Sequence, residues 1–482
     1  MGEPIRDEVM PLDQIASCGP AEIDDPFQPY KVERYDDGLR YDTIQVHGGH
    51  RPDRETHARA VPIYNSVSFV FTDSAHAKRA CAMEGAGYFY SRISNPTVAV
   101  FEKRSASLEG GTAAVATATG QAAIFNTIIC LAGAGDNVVA SINLYGGTYS
   151  LFKTLLPRLG ISVKWAKKET REEFADLIDE KTKMVFVESI GNPRCSIPDL
   201  RDLADLAHEN NIPFVVDNTF GACGVWCRPI EFGADIILHS ATKWMGGHGT
   251  TVGGVIIDCG TFDWGKAADR FPQFMKKEGP MSFSYWSAFG NITFAMAMRI
   301  DILMEVGSTL APASAQQLLI GMETLSLRCE KHAKNTIEVA RFLESHPRIA
   351  WVNYPGMNAK KYLRNGYGGV LAFGPKGGDV ASKMLMNYVK VISHQTKQAF
   401  IRFSVGTEDV RDIIEDLDQA LGKLPDSIVN AHDEMLESKI MRGEPLTKKI
   451  KTASGKLDFL NADVSLSKAN VPLGRQTDVG NW

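Results

Sequence analysis

The middle of the chain contains short, nearly continuous apolar runs that lack the polar alternation of a half-exposed strand. They occupy residues 137–142, 184–187, 213–216, 236–238 and 254–257. Runs of this length are typical of strands that are buried on both faces, as in a parallel sheet. The sequence therefore predicts a buried, mostly parallel sheet in this part of the chain.

A helical period separates these runs. In residues 199–210, Leu200, Leu203, Ala204 and Ala207 form an apolar stripe behind Asp199, whose residue type commonly caps a helix N-terminus. The alternation of strands and helices predicts an α/β architecture with right-handed crossovers. After about residue 300 the pattern changes, and it predicts a second, smaller α+β domain with helices at 313–326 and 330–345 and strands at 370–373 and 401–404.

The same pattern divides the chain into five parts. Residues 1–40 are rich in Asp, Glu and Pro without a sustained period, and they predict a flexible N-terminal extension. Residues 41–105 form an arm or subdomain, 106–300 the large α/β domain and 301–424 the small α+β domain. Residues 425–482 form a polar tail with a lysine-rich stretch.

Composition excludes several classes of protein. The chain has 482 residues, 44% hydrophobic and 23% charged, which is typical of a folded globular protein. A net charge of -5 does not favour nucleic acid or an anionic membrane as a partner. The sequence shows neither an apolar run of the ~18–20 residues that a membrane span needs nor the pattern of a signal peptide. Because the eight cysteines are scattered and several lie in apolar runs, we expect free thiols and a reduced, cytoplasmic enzyme.

Polar side chains follow three of the predicted strands. Asn192 comes shortly after the run at 184–187, and Asp217 directly follows the run at 213–216. The run at 236–238 leads into Ser240, Thr242 and Lys243, and then into a glycine-rich segment. Because ligands bind at the carboxyl ends of parallel strands, these groups are predicted to form one site.

The combination suits an aldehyde cofactor that carries a phosphate. A lysine whose pKa is lowered by burial can form a Schiff base with an aldehyde, and neighbouring hydroxyls can bind a phosphate. A carboxylate on the adjacent strand suits a pyridinium nitrogen, because it keeps the ring protonated. Lys243 or Asp217 alone would carry no functional meaning, but the two with the glycine-rich segment favour a site.

Two further segments are candidates for the same site. Gly120 and Gln121 stand where an apolar helical pattern begins, and the free amides of a helix N-terminus attract phosphate. Tyr145 follows the run at 137–142, where its ring can stack on a planar cofactor.

From about residue 41 to 424 the chain resembles the Cys/Met-metabolism family of pyridoxal-phosphate enzymes, the cystathionine gamma-synthase-like group, and within it the O-acetylhomoserine sulfhydrylases. The resemblance implies the PLP-dependent aminotransferase-like fold, fold type I, for the large domain. It rests on AVPIY (60–64), YSRISNPT (90–97), LEGG (108–111), LYGGTY (144–149), VDNTF (216–220), SATKW (240–244) and IRFSVGTED (401–409).

The resemblance implies a role for each matching residue. Lys243 is similar to the lysine that carries pyridoxal 5'-phosphate and moves protons, Asp217 to the partner of the pyridine nitrogen, and Tyr145 to the catalytic tyrosine that stacks on the ring. Asn192 corresponds to the residue beside the phenolic oxygen of the cofactor. Phosphate binding is implied for Gly120, Gln121, Ser240 and Thr242.

Other roles involve the substrate and a second subunit. Arg402 matches the arginine that pairs with the substrate α-carboxylate, for which a planar guanidinium is well suited, and Tyr64 is implied to bind substrate. Tyr90 and Arg92 resemble residues that reach the phosphate of the neighbouring subunit. The resemblance therefore implies a homodimer with shared active sites, and a tetramer as the complete assembly.

The chemistry that the resemblance implies is γ-replacement on O-acetyl-L-homoserine, with sulfide as the default nucleophile and homocysteine and acetate as products. Gly147 favours replacement over γ-elimination, since the methionine-degrading lyases of the family carry a cysteine there. Two alternatives stay open. One is a carbon or amine nucleophile in a specialised pathway, and the other is an impaired paralogue that binds the cofactor without turnover.

These alternatives are motivated by two segments that are short against the family pattern, and the nucleophile alternative also by the unusual N- and C-terminal segments. One follows NYPGM (353–357), and the larger gap lies between VISHQT (391–396) and QAFIRFSVG (398–406), where sulfhydrylases carry about two dozen more residues. The missing residues would form a strand and a substrate loop beside Arg402. No metal is expected, because His47, His50 and His57 lie near one another without a completing Cys or carboxylate pattern.

Overall fold

The computed structural model describes residues 38–53, 56–81, 87–276, 283–355, 359, 361–392 and 400–431. Almost all of the predicted N-terminal extension lies outside these residues, as do most of the polar tail and the short segment at 393–399. In the described part the chain forms a seven-stranded sheet and a separate three-stranded sheet. This confirms the predicted fold class of a large α/β domain with a smaller α+β domain.

The large sheet has the strand order β1-β7-β6-β5-β4-β2-β3. Strands β2 to β6 run parallel to one another, whereas β7 is antiparallel to both β6 and β1. The prediction of a mostly parallel sheet holds, with β7 reversed because its connection from β6 contains no crossover helix. The strands are β1 Ala113–Thr117, β2 Asn137–Ser141, β3 Ser162–Ala166, β4 Thr182–Glu188, β5 Phe214–Asp217, β6 Ile236–His239 and β7 Gly254–Asp258.

The central strands are buried on both faces. Along β4, Val185 and Val187 belong to one hydrophobic cluster, and Met184 and Phe186 to the cluster on the opposite face. Helices cover both faces of these strands, so neither set of alternating side chains contacts solvent. This is why the runs read as continuously apolar in the sequence.

The helix predicted at 199–210 has the expected bounds, whereas the one predicted at 313–326 ends at Met322 and the one predicted at 330–345 already begins at Leu325. Asp199 accepts a hydrogen bond from the Asp202 amide (3.1 Å) at the start of Leu200–Glu209, which confirms the predicted cap. The helices are α1 Tyr41–His47, α2 Ser74–Cys81, α3 Pro96–Glu109, α4 Gly120–Leu131, α5 Gly146–Ser150, α6 Arg171–Ala175, α7 Leu200–Glu209, α8 Tyr285–Phe289, α9 Thr293–Ala297, α10 Met304–Val306, α11 Pro312–Met322, α12 Leu325–Ser345, α13 Gly378–Tyr388 and α14 Val410–Gly422. Among these helices, none combines the length and the apolar composition that crossing a bilayer requires.

The small sheet is antiparallel, in the order β10-β9-β8, with β8 Ile349–Asn353, β9 Val370–Pro375 and β10 Ile401–Ser404. Its hydrophobic cluster is separate from the two clusters of the large sheet and is built with α12, α13 and α14. The predicted domain boundaries stay predictions, since the chain is helical across residue 300. The cysteines at 130, 195, 223, 227, 259 and 329 are buried free thiols.

Helix α12 connects β10 to the large domain. The His332 ring donates from Nδ1 to the Val405 carbonyl (2.6 Å), and Asn335 donates to the Gly406 carbonyl (2.9 Å). On its other side the His332 ring packs edge-on against Trp244, with the ring centres 4.9 Å apart. The residues that follow β10 are therefore joined through α12 to the residue beside Lys243.

A pH-dependent contact at the N-terminal end of β6 gives a testable prediction. His208 Nε2 lies 2.8 Å from Oδ2 of the buried Asp235, and this hydrogen bond raises the pKa of the half-exposed imidazole, with a further contribution from Asp205 and opposition from Arg201. A raised folded-state pKa stabilises the fold below about pH 6.5, and that stability is lost as the pH rises through the folded-state pKa. We expect His208→Asn to destabilise by roughly 0.5–1 kcal/mol at pH 5.5 and by less at pH 9. Denaturant unfolding at both pH values measures it, and an equal loss at both would contradict the assignment.

Candidate active site

The carboxyl ends of three adjacent strands lie level with one another. Glu188, the last residue of β4, pairs in register with Asp217, the last residue of β5, and Asp217 pairs with Leu238 in β6. The turn after β6 then presents Lys243. The structure therefore places the ends of β4, β5 and β6 side by side, as the sequence analysis expected from the apolar runs.

The turn that carries Lys243 is held by its own backbone. The Lys243 amide donates to the Ser240 carbonyl (3.1 Å), and the Lys243 carbonyl accepts from the Gly247 amide (2.7 Å). The side chain is exposed in the single chain. Partial desolvation lowers the pKa of the Lys243 amine, and the positive charge of Arg402 lowers it further. A larger fraction of the amine is therefore uncharged and able to take up a proton.

Asp217 is a buried acid at the centre of this edge, with 8% of its surface exposed. Burial raises the pKa of its carboxyl group, while hydrogen bonds from Thr219 and the charge of His239 oppose that shift. Its Oδ1 accepts from the Thr219 amide at 2.9 Å. A buried carboxylate of this kind is stabilised by a cation placed against it, and a protonated ring nitrogen is one such group.

The N-terminus of α4 lies directly against the turn after β6. The Thr119 side chain caps the helix by accepting from the Ala122 amide (2.9 Å). A Cβ atom placed at Gly120 would lie 2.6 Å from Cβ of Ser240, so only glycine allows this approach. The first amides of a helix have no acceptor within it, and those of Gly120 and Gln121 are positioned to bind an anion beside Ser240.

Thr242 makes different contacts from Ser240. Its hydroxyl donates to the Gly253 carbonyl (3.2 Å) and accepts from the Gly253 amide (3.0 Å). The hydroxyl thus joins the turn after β6 to the segment before β7. Its predicted role in phosphate binding stays a prediction.

Tyr145 and Gly147 are packed against each other at the start of α5. The Tyr145 amide donates to Oε1 of Glu188 (2.5 Å), while 48% of the Tyr145 residue is exposed. A Cβ atom at Gly147 would lie 2.5 Å from Cε1 of the Tyr145 ring and 3.3 Å from Nε2 of Gln121. Any larger residue at 147, including the cysteine of the lyases, would move the Tyr145 ring or the backbone beneath it.

Arg402 brings the small domain into the site. From β10 its Nη1 donates to Oδ1 of Asn192 (3.1 Å), and Asn192 itself is 7% exposed. The Nε atom of Arg402 is buried and has no hydrogen-bond partner among the described residues. The guanidinium therefore keeps a free donor next to its contact with Asn192, a suitable arrangement for a carboxylate ligand.

The structure places Tyr64, Tyr90 and Arg92 elsewhere. The Tyr64 hydroxyl donates to Asp53 (3.0 Å). The Arg92 guanidinium lies over the Tyr90 ring, 5.2 Å from its centre, and donates to the Met304 carbonyl. Among the described residues, none of these contacts involves a residue at the carboxyl end of β4, β5 or β6.

Glu188 is the residue of this site to which the sequence analysis gave no role. Its carboxylate accepts from the amides of Tyr145 (2.5 Å) and Asn192 (2.9 Å), which are two predicted site residues. An acidic residue directly after the apolar run at 184–187 was the available signal. The fold was needed to show that both amides point at it.

Comparison with known proteins agrees with this geometry. Residues 42–397 match the family model described as the Cys/Met metabolism PLP-dependent enzyme. The chain belongs to this family. The predicted dependence on pyridoxal 5'-phosphate is thereby confirmed, as is the assignment of the chain to an enzyme family.

Individual relatives extend the comparison. The chain is 46% identical over 421 residues to the sulfhydrylase FUB7 of Fusarium oxysporum f. sp. lycopersici, covering 80% of this chain and 97% of the relative. It is 46% identical over 419 residues to the homocysteine synthase of Schizosaccharomyces pombe, covering 79% and 98%. The alignment with FUB7 is 421 positions long, whereas 80% of this chain is a smaller number of residues. The alignment therefore contains positions that this chain lacks, which agrees with the two segments that are short against the family pattern.

A solved structure shows the same architecture. A Campylobacter jejuni protein assigned as an O-acetylhomoserine (thiol)-lyase superposes with a TM-score of 0.75 at 32% identity, covering 80% of this chain and 100% of that one. It contains N'-pyridoxyl-lysine-5'-monophosphate, a lysine joined to the cofactor. The fold around the site is therefore that of a PLP enzyme.

The residues at the strand ends fit this cofactor on their own geometry. They provide a lysine amine of lowered pKa, a carboxylate whose pKa is raised by burial, and a helix N-terminus in contact with Ser240. These are the three groups that an aldehyde, a pyridine nitrogen and a phosphate require. The fit rests on Lys243, Asp217 and Gly120 together.

Proposed function

We propose that this enzyme catalyses γ-replacement on O-acetyl-L-homoserine with sulfide, which gives homocysteine and acetate. The observation that carries the proposal is Arg402, whose free Nε and contact with Asn192 provide a carboxylate site on the same side as Lys243. The names of the relatives, a homocysteine synthase and an O-acetylhomoserine (thiol)-lyase, select the amino acid. Gly147, which a cysteine would replace in a lyase, supports replacement over elimination.

In this proposal the strand ends hold the cofactor. Lys243 carries it, the Asp217 carboxylate pairs with the ring nitrogen, and the amides of Gly120 and Gln121 bind the phosphate with Ser240. Tyr145 stacks on the ring. Bound pyridoxal 5'-phosphate supplies an electron sink that makes the α- and β-protons of an amino acid acidic.

The chain's own residues then bind and orient the substrate. Arg402 pairs with the α-carboxylate through two N–H donors and fixes the amino acid so that its α-hydrogen faces Lys243. The Nζ atom of Lys243 removes that proton and then one proton from the β-carbon, and it returns a proton to each of the two carbons once the group at Cγ has been exchanged. Its lowered pKa suits both removal and return. The Cγ–O bond breaks with release of acetate, and a Cγ–S bond forms with sulfide.

The proposed assembly is a homodimer with shared active sites, two such dimers making a tetramer. Its support is the position of Tyr90 and Arg92, which do not reach the strand ends of their own chain. Apolar surface in the same arm is open, with Val67 62% and Val70 93% exposed. Location in the cytoplasm stays a prediction.

Product analysis tests the proposed function. Purified enzyme with pyridoxal 5'-phosphate, O-acetyl-L-homoserine and sulfide is expected to release homocysteine and acetate in equal amounts, and Lys243→Ala is the control. Product formed with an amine or carbon nucleophile, but not with sulfide, would replace the nucleophile in the proposal. A bound cofactor without turnover of any nucleophile would favour the impaired paralogue, the outcome that the short segment at 393–399 raises.

A further inference from the structure

One buried side chain contacts both loops that shape the site. Glu188 is 6% exposed at the end of β4, between the strands β5 and β2. Its Oε1 accepts from the Tyr145 amide in the loop after β2, and its Oε2 accepts from the Asn192 amide in the loop after β4. A single carboxylate thus holds both loops at hydrogen-bond distance.

The contacts continue from each loop to a different part of the site. The Tyr145 ring lies over the backbone of Gly147, where no Cβ atom fits. Asn192 accepts from Nη1 of Arg402 at 3.1 Å, so Glu188 lies two hydrogen bonds from the guanidinium of the small domain. The side chain placed to stack on the cofactor and the one placed to bind the substrate carboxylate therefore share one support.

Both oxygens of Glu188 act as acceptors, as an ionised carboxylate does. Its surroundings oppose that charge, because burial raises the pKa of the carboxyl group and the nearby acids Asp217 and Glu169 raise it further. The two amides act in the opposite direction. Burial of a charged carboxylate costs free energy that an apolar residue in the same place would not cost. The presence of an acid at this position therefore points to a role for its two acceptor oxygens.

We infer that Glu188 is a positioning residue, which holds the loops of Tyr145 and Asn192 in register and thereby sets the spacing between the cofactor-stacking ring and the substrate-binding Arg402. The inference rests on the proposed function for the role of Arg402. The inference assigns Glu188 no direct action on the cofactor or the substrate. It acts through Tyr145 on cofactor affinity and through Asn192 on substrate affinity.

The test compares Glu188→Gln with Asp258→Asn. Glutamine keeps the size of the side chain but has one acceptor oxygen, so it can satisfy only one of the two amides. Asp258 is a matched control, since it is a buried acid, 3% exposed, that also accepts from two backbone amides, those of Gly260 (2.9 Å) and Ala295 (2.9 Å). It pairs with Ile236, the first residue of β6, and so lies at the opposite edge of the sheet from Glu188. Glu188→Asp, which keeps both acceptors, serves as the conservative rescue.

Cofactor affinity is the readout that needs no substrate. The dissociation constant of pyridoxal 5'-phosphate, followed by its visible absorbance, is expected to rise on the order of tenfold in Glu188→Gln, as for the loss of one hydrogen bond to a charged group. It should stay within about twofold of wild type in Asp258→Asn, and Glu188→Asp should recover part of the loss. Equal loss in Glu188→Gln and Asp258→Asn would mean that any buried acid bound to two amides has only a structural role, and it would overturn the inference.

Substrate affinity tests the second arm. With enzyme saturated with cofactor, KM for O-acetyl-L-homoserine is expected to rise on the order of tenfold in Glu188→Gln. In an Arg402→Lys background the same change should add little, because residues that act in series are not additive. Full additivity would contradict the route through Arg402. If wild type bound the cofactor without responding to this amino acid, the proposed function would fail, and cofactor affinity alone would decide the inference.

Discussion

Alanine in place of Lys243 is expected to lower kcat by at least about 10³-fold, because the variant loses the amine that carries and returns protons. The backbone of this turn is held by Ser240 and Gly247, so the fold should survive the change. Thermal unfolding of the variant should therefore match that of wild type. The measurement is homocysteine formation, together with the visible absorbance that reports a cofactor joined to the lysine.

Lys266→Ala is the matched control for this variant, since Lys266 is an exposed lysine of the same domain that carries no proposed role. It should leave both rate and absorbance unchanged. A small, soluble primary amine should restore part of the activity of Lys243→Ala if the missing group is a proton carrier. Normal turnover by Lys243→Ala would remove the basis of the proposed mechanism.

The second large effect is expected at Arg402. Arg402→Leu removes both donors to the substrate carboxylate, and two charge-assisted hydrogen bonds correspond to about 3–5 kcal/mol, which is roughly 10²–10⁴-fold in KM. Arg402→Lys keeps the charge without the planar pair of donors and should fall between Leu and wild type. The cofactor should still bind, because the groups proposed to hold it lie on the large sheet.

Steady-state kinetics over a range of O-acetyl-L-homoserine concentrations measures this effect. Arg411→Leu provides the control, as Arg411 is an arginine of the same small domain whose side chain is 81% exposed and paired with Asp409. A second consequence concerns Lys243, whose pKa is lowered in part by Arg402. The acidic limb of the pH–rate profile should move to higher pH in Arg402→Leu, and an unchanged KM would contradict the assignment of the carboxylate site.

The strands of the large sheet and the groups at their ends could be predicted from the sequence because each depends on local order. An apolar run followed by Asp217, or by Ser240 and Lys243, specifies a buried strand and what its carboxyl end presents. The cap at Asp199 and the strand at Ile401–Ser404 were predictable for the same reason. Short stretches of sequence are sufficient to indicate these features.

The rest depends on contacts between distant parts of the chain. The reversal of β7 follows from how its connection packs, and the contact between Arg402 and Asn192 joins residues 210 positions apart. The sequence also gave no indication that the Thr242 hydroxyl would bind both backbone groups of Gly253. Glu188 was visible at a strand end, but its two amide partners come from separate loops, and no spacing in the sequence connects them.

The connection through α12 couples a distant packing contact to the rate of proton removal. Lys243 follows a strand of the large sheet, whereas Arg402 lies on β10, and the residues after β10 are held by His332 and Asn335 of α12. The α-carboxylate and the α-hydrogen of an amino acid belong to the same carbon atom, so the distance between Arg402 and Lys243 decides whether a bound substrate presents that hydrogen to the amine. Substitutions in α12 are therefore expected to lower kcat for short and long amino acids alike. Catalytic rate in such an enzyme can thus be altered from a helix that holds none of the proposed site residues.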